Sequence, residues 1–361
     1  MNNDEVKYDT GLKSSVVLLW ILALCILFLI ITIISIVYIK NITNTPLSHV
    51  ANQKIINIPK GSDLKTVSSI LKKEGIIKNT FAFNLLAKYK SAERDLKAGE
   101  YQLSLDMPPL QILNLILEGK VYQYPVTIPE GYNIFEIASL LNKKELADRK
   151  KFLLSAFNSN FTKSLGIDAN NLEGYIFPDT YYLSKGMDEK VILKKMVDTF
   201  KKAVSEEISN NYQKTGLIQH QIITLASLIE KETSNEKEKS IISAVFHNRL
   251  KKKIRLQCDP TVIYSLLLEG LKKNEIIYDG NIRKEDLSID SPYNTYRYGG
   301  LPPGPIANPG KSSIHAAMHP SASKYIYFVS KNDGNHHFSA TIEEHSRAVR
   351  IYQPKKNNTK N

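Results

Sequence analysis

The chain has 361 residues, a formal net charge of +12 and 42% hydrophobic residues. This length exceeds one ordinary domain, and the lysines are spread along the chain instead of forming one dense block. Dispersed positive charge is compatible with a membrane surface, an acidic polymer or a merely solvated surface, and it does not indicate a nucleic-acid-binding face. The two cysteines, Cys25 and Cys258, offer no disulfide framework.

An uncharged segment near the N-terminus predicts a membrane anchor. Residues 1–15 are polar, and Val16 to Ile39 then run without a charge. At about 1.5 Å per residue, a helix of this length crosses a hydrocarbon core of about 30 Å. No small-residue cleavage site follows, which favours an uncleaved transmembrane helix over a signal peptide. Mixed charges before the segment leave its orientation open, and residues 40–53 are predicted to be a polar linker.

A repeat follows the linker. Ile58 to Leu71 matches Ile128 to Leu141 position for position, and each copy predicts a short strand, a turn at Pro-x-Gly and an amphipathic helix. The β-α-α-β order predicted for residues 54–122 resembles LysM modules, which bind N-acetyl-hexosamine polymers. A generic α+β packing domain explains the same pattern. Residues 123–150 begin the second copy.

Aromatic and acidic residues then occur together in one irregular stretch, 171–182. Sugar rings stack on aromatic faces, and their hydroxyls bond to carboxylate oxygens. Glu173, Tyr175 and Asp179 are therefore candidate glycan contacts. Core packing explains the aromatic residues equally well.

Ile222 to Glu232 is a nearly unbroken apolar run that ends in Glu-Lys-Glu, which predicts a buried helix. On such a helix Glu230 continues the stripe of Ile223 and Ala226, whereas Glu232 points about 200° away from Glu230. Glu230 is therefore expected to take the buried side, where burial raises the pKa of a carboxyl and prepares a general acid. A helix cap or one arm of an ion pair is the structural alternative.

Three helix starts are predicted after this segment. Residues 233–236 have the form of a capping box, while Asp259 and Asn308 each precede a proline, as N-cap residues often do. For Asp259, capping is favoured over catalysis. Residues 291–310 form a long loop rich in turn formers, and loops of this length inside a domain are usually functional. A hairpin and a final helix that starts at Thr341 are predicted after it.

His315 and His319 are spaced as two zinc ligands on one helical face would be. No H-E-x-x-H or C-x-x-C motif accompanies them and His319 directly precedes Pro320, so no metal is predicted. The sequence also lacks a Gly-rich phosphate loop and a G-x-S-x-G elbow, so serine-based hydrolysis and a bound cofactor are not predicted either.

Several segments closely resemble one known family. They are the membrane span, LEGYIFPDTY at 172–181, ASLIEKE at 226–232, VFHNRL at 245–250, LQCDPTVIY at 256–264 and the loop at 293–310. In this combination and order they are similar to the endolytic murein transglycosylases, the MltG or YceG-like family, over residues 54–350. The resemblance implies an α+β protein with a single transmembrane helix, LysM-like modules and a mainly helical, lysozyme-like catalytic region at 123–352 with a small β element. Residues 353–361 are expected to be a polar tail.

The resemblance also implies an activity. A protein of this family lies in the cytoplasmic (inner) membrane and cuts nascent peptidoglycan strands internally on the outer, periplasmic side. Glu230 aligns with the family's catalytic Glu, which protonates the glycosidic oxygen and then deprotonates the muramyl 6-hydroxyl, leaving 1,6-anhydro ends without metal or cofactor. The expected substrate contacts are Glu173, Tyr175, Asp179, Tyr293, Asn294, Thr295 and Tyr296, with Glu232, Asp259 and Asn308 in supporting roles.

Two alternatives remain open at this stage. One is a membrane-tethered protein that binds peptidoglycan without cutting it. The other is an ordinary hydrolase that pairs Glu230 with Glu173 or Asp259, since ordinary glycosidases use two carboxylates. The expected partners are glycan strands and the membrane, with cell-wall synthases or division proteins as further candidates and nucleic acid excluded.

Overall fold

The computed structural model describes residues 10–48, 50–211 and 215–354. Expectations for residues 1–9 and for most of the polar tail therefore lie outside the described residues. The described residues form helices and three two-stranded antiparallel sheets, in two compact units divided between Tyr122 and Gln123. The chain thus combines α-helices with small β-sheets, as predicted.

The first unit begins with helix α1, Thr10–Asn44. Its segment Val17–Asn44 is apolar and long enough to cross a membrane. The most apolar part of this segment is entirely exposed. The helix continues past the predicted end at Ile39 into the predicted linker. No helix breaker occurs before Pro46, which accounts for the difference.

The rest of this unit forms a small module. Its elements are β1 (Gln53–Ile58), α2 (Leu64–Lys73), α3 (Thr80–Tyr89), β2 (Gly99–Ser104) and α4 (Pro109–Glu118). β1 and β2 pair antiparallel, with Gln53 opposite Ser104. Alternate residues of both strands, such as Ile56 and Tyr101, are buried against the helices, as expected for a sheet with one covered face. The predicted β-α-α-β order is confirmed.

The second unit opens with the repeat. Its elements are β3 (Tyr124–Thr127), α5 (Ile134–Lys143), α6 (Arg149–Ala156), α7 (Ser159–Ser164) and β4 (Thr180–Leu183). β4 pairs antiparallel with β3. Gly61 and Gly131 occupy the left-handed region at φ +80° and +76°, and Asp63 and Asn133 both cap the following helix through their side chains. The two copies therefore share one turn geometry.

Helices dominate the remainder of the second unit. They are α8 (Glu189–Asn211), α9 (Gln219–Glu232), α10 (Glu236–Lys251), α11 (Asp259–Lys273), a short 3₁₀ helix (Glu285–Ser288), α12 (Lys311–Met318) and α13 (Ile342–Tyr352). The predicted hairpin consists of β5 (Tyr327–Ser330) and β6 (His336–Ser339). α9 is the central helix, since α8, α10, α11 and α12 all pack on it. Every residue from Ile222 to Ile229 is at most 1% exposed.

Two of the three predicted cap assignments before α13 are wrong. Asp259 is already the first residue of α11, follows Cys258 and makes no capping bond. Asn308 lies before Gly310, which precedes α12, and its side chain reaches into the core instead. Both errors come from long-range partners that compete with the local helix end for the polar side chain.

The other helix starts are close to expectation. α10 is capped by Asn235, whose side chain accepts from the Lys237 N–H, while Thr233 accepts from the Asn235 N–H. The cap therefore lies two residues later than the pattern at 233–236 predicted. Thr341 caps α13 in a full capping box with Glu344, as predicted.

Candidate active site

The C-terminal end of α9 carries two carboxylates into different surroundings. Because α9 is buried on all sides, the direction of a side chain around the helix does not decide whether it is buried. Glu230 and Glu232 are both partly buried and face different neighbours. Their roles must therefore be read from those neighbours.

Glu230 belongs to an ion-pair network. Its side chain is 7% exposed, Oε1 lies 3.6 Å from Lys239 Nζ, and Oε2 accepts the Gly310 N–H at 2.9 Å. Lys239 in turn donates to Glu236 at 2.8 Å and to Ser312 at 2.7 Å. Glu230 is thus one arm of an ion pair, which the sequence offered as the structural alternative to a role as general acid.

A second carboxylate, Glu130, lies beside this pair. Burial raises the pKa of Glu130, and the charge of Glu230 raises it further. A Cβ at Gly310 would lie 2.0 Å from the Glu130 carboxyl, so a larger residue there would force the Glu130 side chain to move. The Gly131 N–H also donates to the Asn308 carbonyl at 2.9 Å. We call Glu130, Glu230, Lys239 and Gly310 the Glu230 cluster, which fastens the repeat turn to the loop before α12.

Glu232 has a different environment. Its Oε1 accepts the thiol of Cys258 at 2.8 Å, and burial raises the pKa of Glu232. The buried Cys258 thiol also has its pKa raised by burial, so it remains a protonated donor. Glu232 therefore combines a preference for the protonated form with a single weak hydrogen-bond donor.

Glu232 lines an open cavity of about 450 Å³ in the second unit, which we call the Glu232 cavity. The volume is within the range of small-ligand sites. Its polar walls come from α10, α11, the long loop, the β5–β6 hairpin and α13. The polar lining includes Arg249, Gln257, Asp259, Tyr296, Ser330, His336 and His345.

Hydrogen bonds fix the walls of this cavity. The Tyr296 hydroxyl donates to Asp259 Oδ1. His336 is held by Glu238 through its backbone N–H at 2.9 Å and its Nδ1 at 2.7 Å. Arg249 donates to the Ile326 and Leu256 carbonyls, both at 2.7 Å. The cavity thus presents groups whose positions are set before a ligand binds.

Two of the predicted substrate contacts in the long loop make internal hydrogen bonds. Asn294 is fully buried and donates to the Leu287 and Ile289 carbonyls at 3.0 and 2.9 Å. Thr295, 2% exposed, accepts the Cys258 N–H at 2.9 Å. Their side chains hold the loop against the start of α11, and their contact with substrate stays a prediction.

Glu173 is likewise an internal residue. It is fully buried, accepts the Ile134 N–H at 3.1–3.2 Å and accepts the Asn308 side chain at 3.0 Å. Burial raises the pKa of Glu173 to about 8. Asn308 also accepts the Ile176 N–H at 2.9 Å. Together these residues connect the repeat helix with two loops, and glycan contact at Glu173 stays a prediction.

The remaining predicted contacts are dispersed. Tyr175 is hydrogen-bonded to His220 at 2.7 Å beside a separate cavity of about 630 Å³. Asp179 is exposed and accepts the N–H of its neighbour Thr180. Tyr293 packs against the Tyr264 ring at 5.1 Å. Of the predicted contacts, Tyr296 is the one that lines the Glu232 cavity.

The sequence did not indicate the other polar residues that line this cavity, which are Arg249, Gln257, Ser330, His336, His345 and Gln353. Arg249 and Gln257 belong to motifs used for the family resemblance but carried no assigned role. Gln257 has φ +52°, a left-handed conformation that is uncommon for a residue with a side chain and that often marks functional sites. His336 comes from the hairpin, and no local pattern connects it to α9.

Comparisons with known proteins agree on one family. A family model described as the YceG-like family matches residues 56–351. A protein of Bacillus subtilis, named endolytic murein transglycosylase, is 37% identical over 321 residues, which are 84% of this chain and 85% of that protein. A Streptococcus pneumoniae protein of the same name is 30% identical over 81% of this chain and 57% of its own length.

A solved structure is also similar. The crystal structure of a YceG-like protein from Listeria monocytogenes is 34% identical, with a TM-score of 0.55. The similarity covers 83% of this chain and 100% of that one. The residues that the family model matches, 56–351, include parts of both units and all the residues that line the Glu232 cavity except Gln353.

Proposed function

Since the chain belongs to the YceG-like family, we propose that it is an endolytic murein transglycosylase. This is a lyase that cuts inside peptidoglycan glycan strands without using water. The observation that carries the assignment to a site is Glu232, a carboxyl with a raised pKa at the wall of a polar cavity. A carboxyl whose pKa is raised above its ordinary value keeps its proton to higher pH, which general acid catalysis needs.

The reaction requires two proton transfers at one place. Glu232 donates its proton to the oxygen of the β-1,4 bond between N-acetylmuramic acid and N-acetylglucosamine, and that bond breaks. The carboxylate then takes the proton of the muramyl 6-hydroxyl, whose oxygen bonds to C1 and closes the 1,6-anhydro ring. Because the substrate supplies the nucleophile, the second carboxylate of an ordinary glycosidase is not needed.

We propose Glu232 as the acid in place of Glu230, the residue that the family resemblance implied. The two oxygens of Glu230 face the Gly310 N–H and Lys239, so both are already engaged within the protein. Glu232 has the Cys258 thiol as its donor and opens on the cavity. These contacts support an acid and base role for Glu232 and a structural role for Glu230.

An ordinary hydrolase is the second candidate, because Asp259 lines the same cavity as Glu232 and could serve as the second carboxylate. The Tyr296 hydroxyl already donates to Asp259, which favours a role for this pair in orienting the sugar. The two reactions differ in their products, so the question is open to direct measurement.

The other parts of the chain fit an enzyme that works at the membrane surface. α1 anchors the chain in the cytoplasmic membrane, and the β-α-α-β module and the second unit lie on the extracytoplasmic side where the glycan is. The β-α-α-β module of the first unit serves as a LysM-like glycan-binding element, and the mainly helical second unit serves as a lysozyme-like catalytic domain. Cell-wall synthases or division proteins are the proposed protein partners.

Mass spectrometry of glycan strands digested by the detergent-solubilised chain tests the proposal. Shorter strands with 1,6-anhydro ends are expected, and Glu232→Gln should abolish them. Reducing ends would establish hydrolysis instead. Binding to the strands without cleavage would support a tethered binding protein and overturn the proposed activity.

A further inference from the structure

We propose that Glu207, His315 and His319 form a binding site for a divalent transition metal ion such as Zn²⁺. One ligand atom from each of the three side chains lies within 4.8 Å of the others. The site joins α8, which carries Glu207, to α12, which carries His315 and is followed by His319. It lies outside the residues that line the Glu232 cavity and does not depend on the proposed reaction.

The two histidines are arranged as neighbouring ligands. They occur four residues apart at the end of α12, and their ring centroids are 4.2 Å apart. His319 Nδ1 lies 3.0 Å from the His315 carbonyl oxygen. A carbonyl only accepts, so Nδ1 carries the proton and Nε2 keeps its lone pair for a metal. Metal-binding histidines are commonly oriented by such a bond.

The carboxylate completes a ligand set typical of zinc. Two imidazoles and one carboxylate, with a fourth position left for water, are a recurrent zinc arrangement. Ligand atoms around tetrahedral zinc are separated by about 3.3 Å, given bond lengths of about 2.0–2.1 Å. His315 is exposed and the other two are partly exposed, so their side chains can rotate. Rotation can bring the ligand atoms from within 4.8 Å of one another to the separation of about 3.3 Å that zinc needs.

The sequence shows the spacing of the two histidines but not their third partner, because Glu207 is far from them along the chain. It reaches them because α8 packs against α12. A bound metal ion would therefore fasten the C-terminal part of α8 to α12. It would stabilise the second unit by binding to the folded chain in preference to the unfolded one.

The test uses the full chain, purified with a tag that contains no histidine. Titration with Co²⁺ should give one equivalent of visible d–d absorption, which Zn²⁺ then displaces. His315→Gln, His319→Gln and Glu207→Gln should each raise the Kd for the metal at least about tenfold. His337→Gln is the control, since His337 lies on β6 beside Tyr352 and should leave the Kd unchanged.

A second readout does not depend on cobalt spectra. Saturating Zn²⁺ should raise the Tm of the wild type and of His337→Gln by about 5–10 °C, and that of His315→Gln by far less. In the absence of metal, His315→Gln should have the Tm of the wild type because its ring is exposed. Equal metal affinity in the wild type and both histidine variants, or no stoichiometric binding at micromolar ion concentrations, would overturn the proposal.

Discussion

Glu230 and Glu232 lie two residues apart on α9 and have almost opposite surroundings. The oxygens of Glu230 face a backbone N–H and a lysine, so its charge is neutralised and its position is fixed. Glu232 receives one thiol hydrogen bond and borders an open cavity. Where both sides of a helix are buried, the neighbours of a carboxylate distinguish a structural role from a chemical one.

The strongest test of this contrast is Glu232→Gln. An amide cannot donate the proton that the glycosidic oxygen needs, so the rate of strand cleavage should fall by about 10²- to 10⁴-fold. The Tm should stay near the wild-type value, because the amide can still accept from Cys258. The measurement is the rate at which 1,6-anhydro ends appear. A Glu232→Gln protein that cleaves at the wild-type rate would show that Glu232 is not the acid.

The reciprocal test is Glu230→Gln, which should act on stability instead. Gln can accept the Gly310 N–H, but it leaves buried Lys239 without one of its two carboxylates. The expected loss is about 1–3 kcal/mol of unfolding free energy, read from thermal or urea unfolding. The folded protein should retain most of its cleavage rate.

Glu236→Gln is the matched control for that variant. It removes a carboxylate from the same lysine, but the Glu236 side chain is 62% exposed whereas that of Glu230 is 7% exposed. Solvent screens an exposed pair, so Glu236→Gln should cost less than Glu230→Gln. If Glu230→Gln abolished strand cleavage and left the unfolding free energy unchanged, Glu230 would be the acid and Glu232 the structural residue.

Much of the fold was predictable because it depends on local rules. The repeat follows from apolar spacing, from the prolines at 59 and 129, and from glycines that adopt positive φ. α4 ends at Gly119 in the left-handed conformation, as its sequence indicates. The predicted anchor ended too early, since apolarity reveals a membrane core but not where a continuous helix stops.

The site was less predictable because its contacts join distant parts of the chain. A helical projection assigned the buried side to Glu230, but it could not show that Lys239 and Gly310 occupy that side. Asp259 and Asn308 each precede a proline, as N-cap residues often do. Their side chains instead form hydrogen bonds with Tyr296 and Glu173. A polar side chain with two potential partners bonds to the one that the tertiary structure brings close, and a single sequence does not show which partner that is.

A third buried carboxylate, Glu173, tests whether a raised pKa alone is enough for catalysis. Its pKa of about 8 exceeds the value near 4.5 expected after unfolding. The folded state therefore loses stability as pH rises from 4.5 to 8, by at most roughly 1.4 kcal/mol per pH unit. Glu173→Gln, which can accept from Ile134 and Asn308, should remove most of that dependence.

Denaturation at a series of pH values measures this effect, with cleavage as the second readout. Because Glu173 is fully buried, Glu173→Gln should keep its cleavage activity wherever it is folded. Equal pH dependence of stability in the variant and the wild type would show that Glu173 does not titrate in this range. Loss of cleavage in a well-folded variant would instead bring Glu173 into the chemistry.

The smallest expected effect concerns Cys258, which tunes Glu232 without replacing it. Its thiol donates to the carboxylate, and this bond opposes the increase in the pKa of Glu232 that burial produces. Cys258→Ala should therefore raise the pKa of Glu232, and Cys258→Ser should lower it because a hydroxyl is a stronger donor than a thiol. The shift should not exceed about one pH unit, since one hydrogen bond contributes about 0.5–1.5 kcal/mol.

The direction of the change in activity follows from the acid role. Strand cleavage needs protonated Glu232, so activity declines as pH rises through the pKa of this residue. The alkaline limb of the pH profile should move to higher pH in Cys258→Ala and to lower pH in Cys258→Ser. A purely structural cysteine would change stability and leave the limb in place, and such a result would mean that Glu232 is not the group that limits activity at high pH.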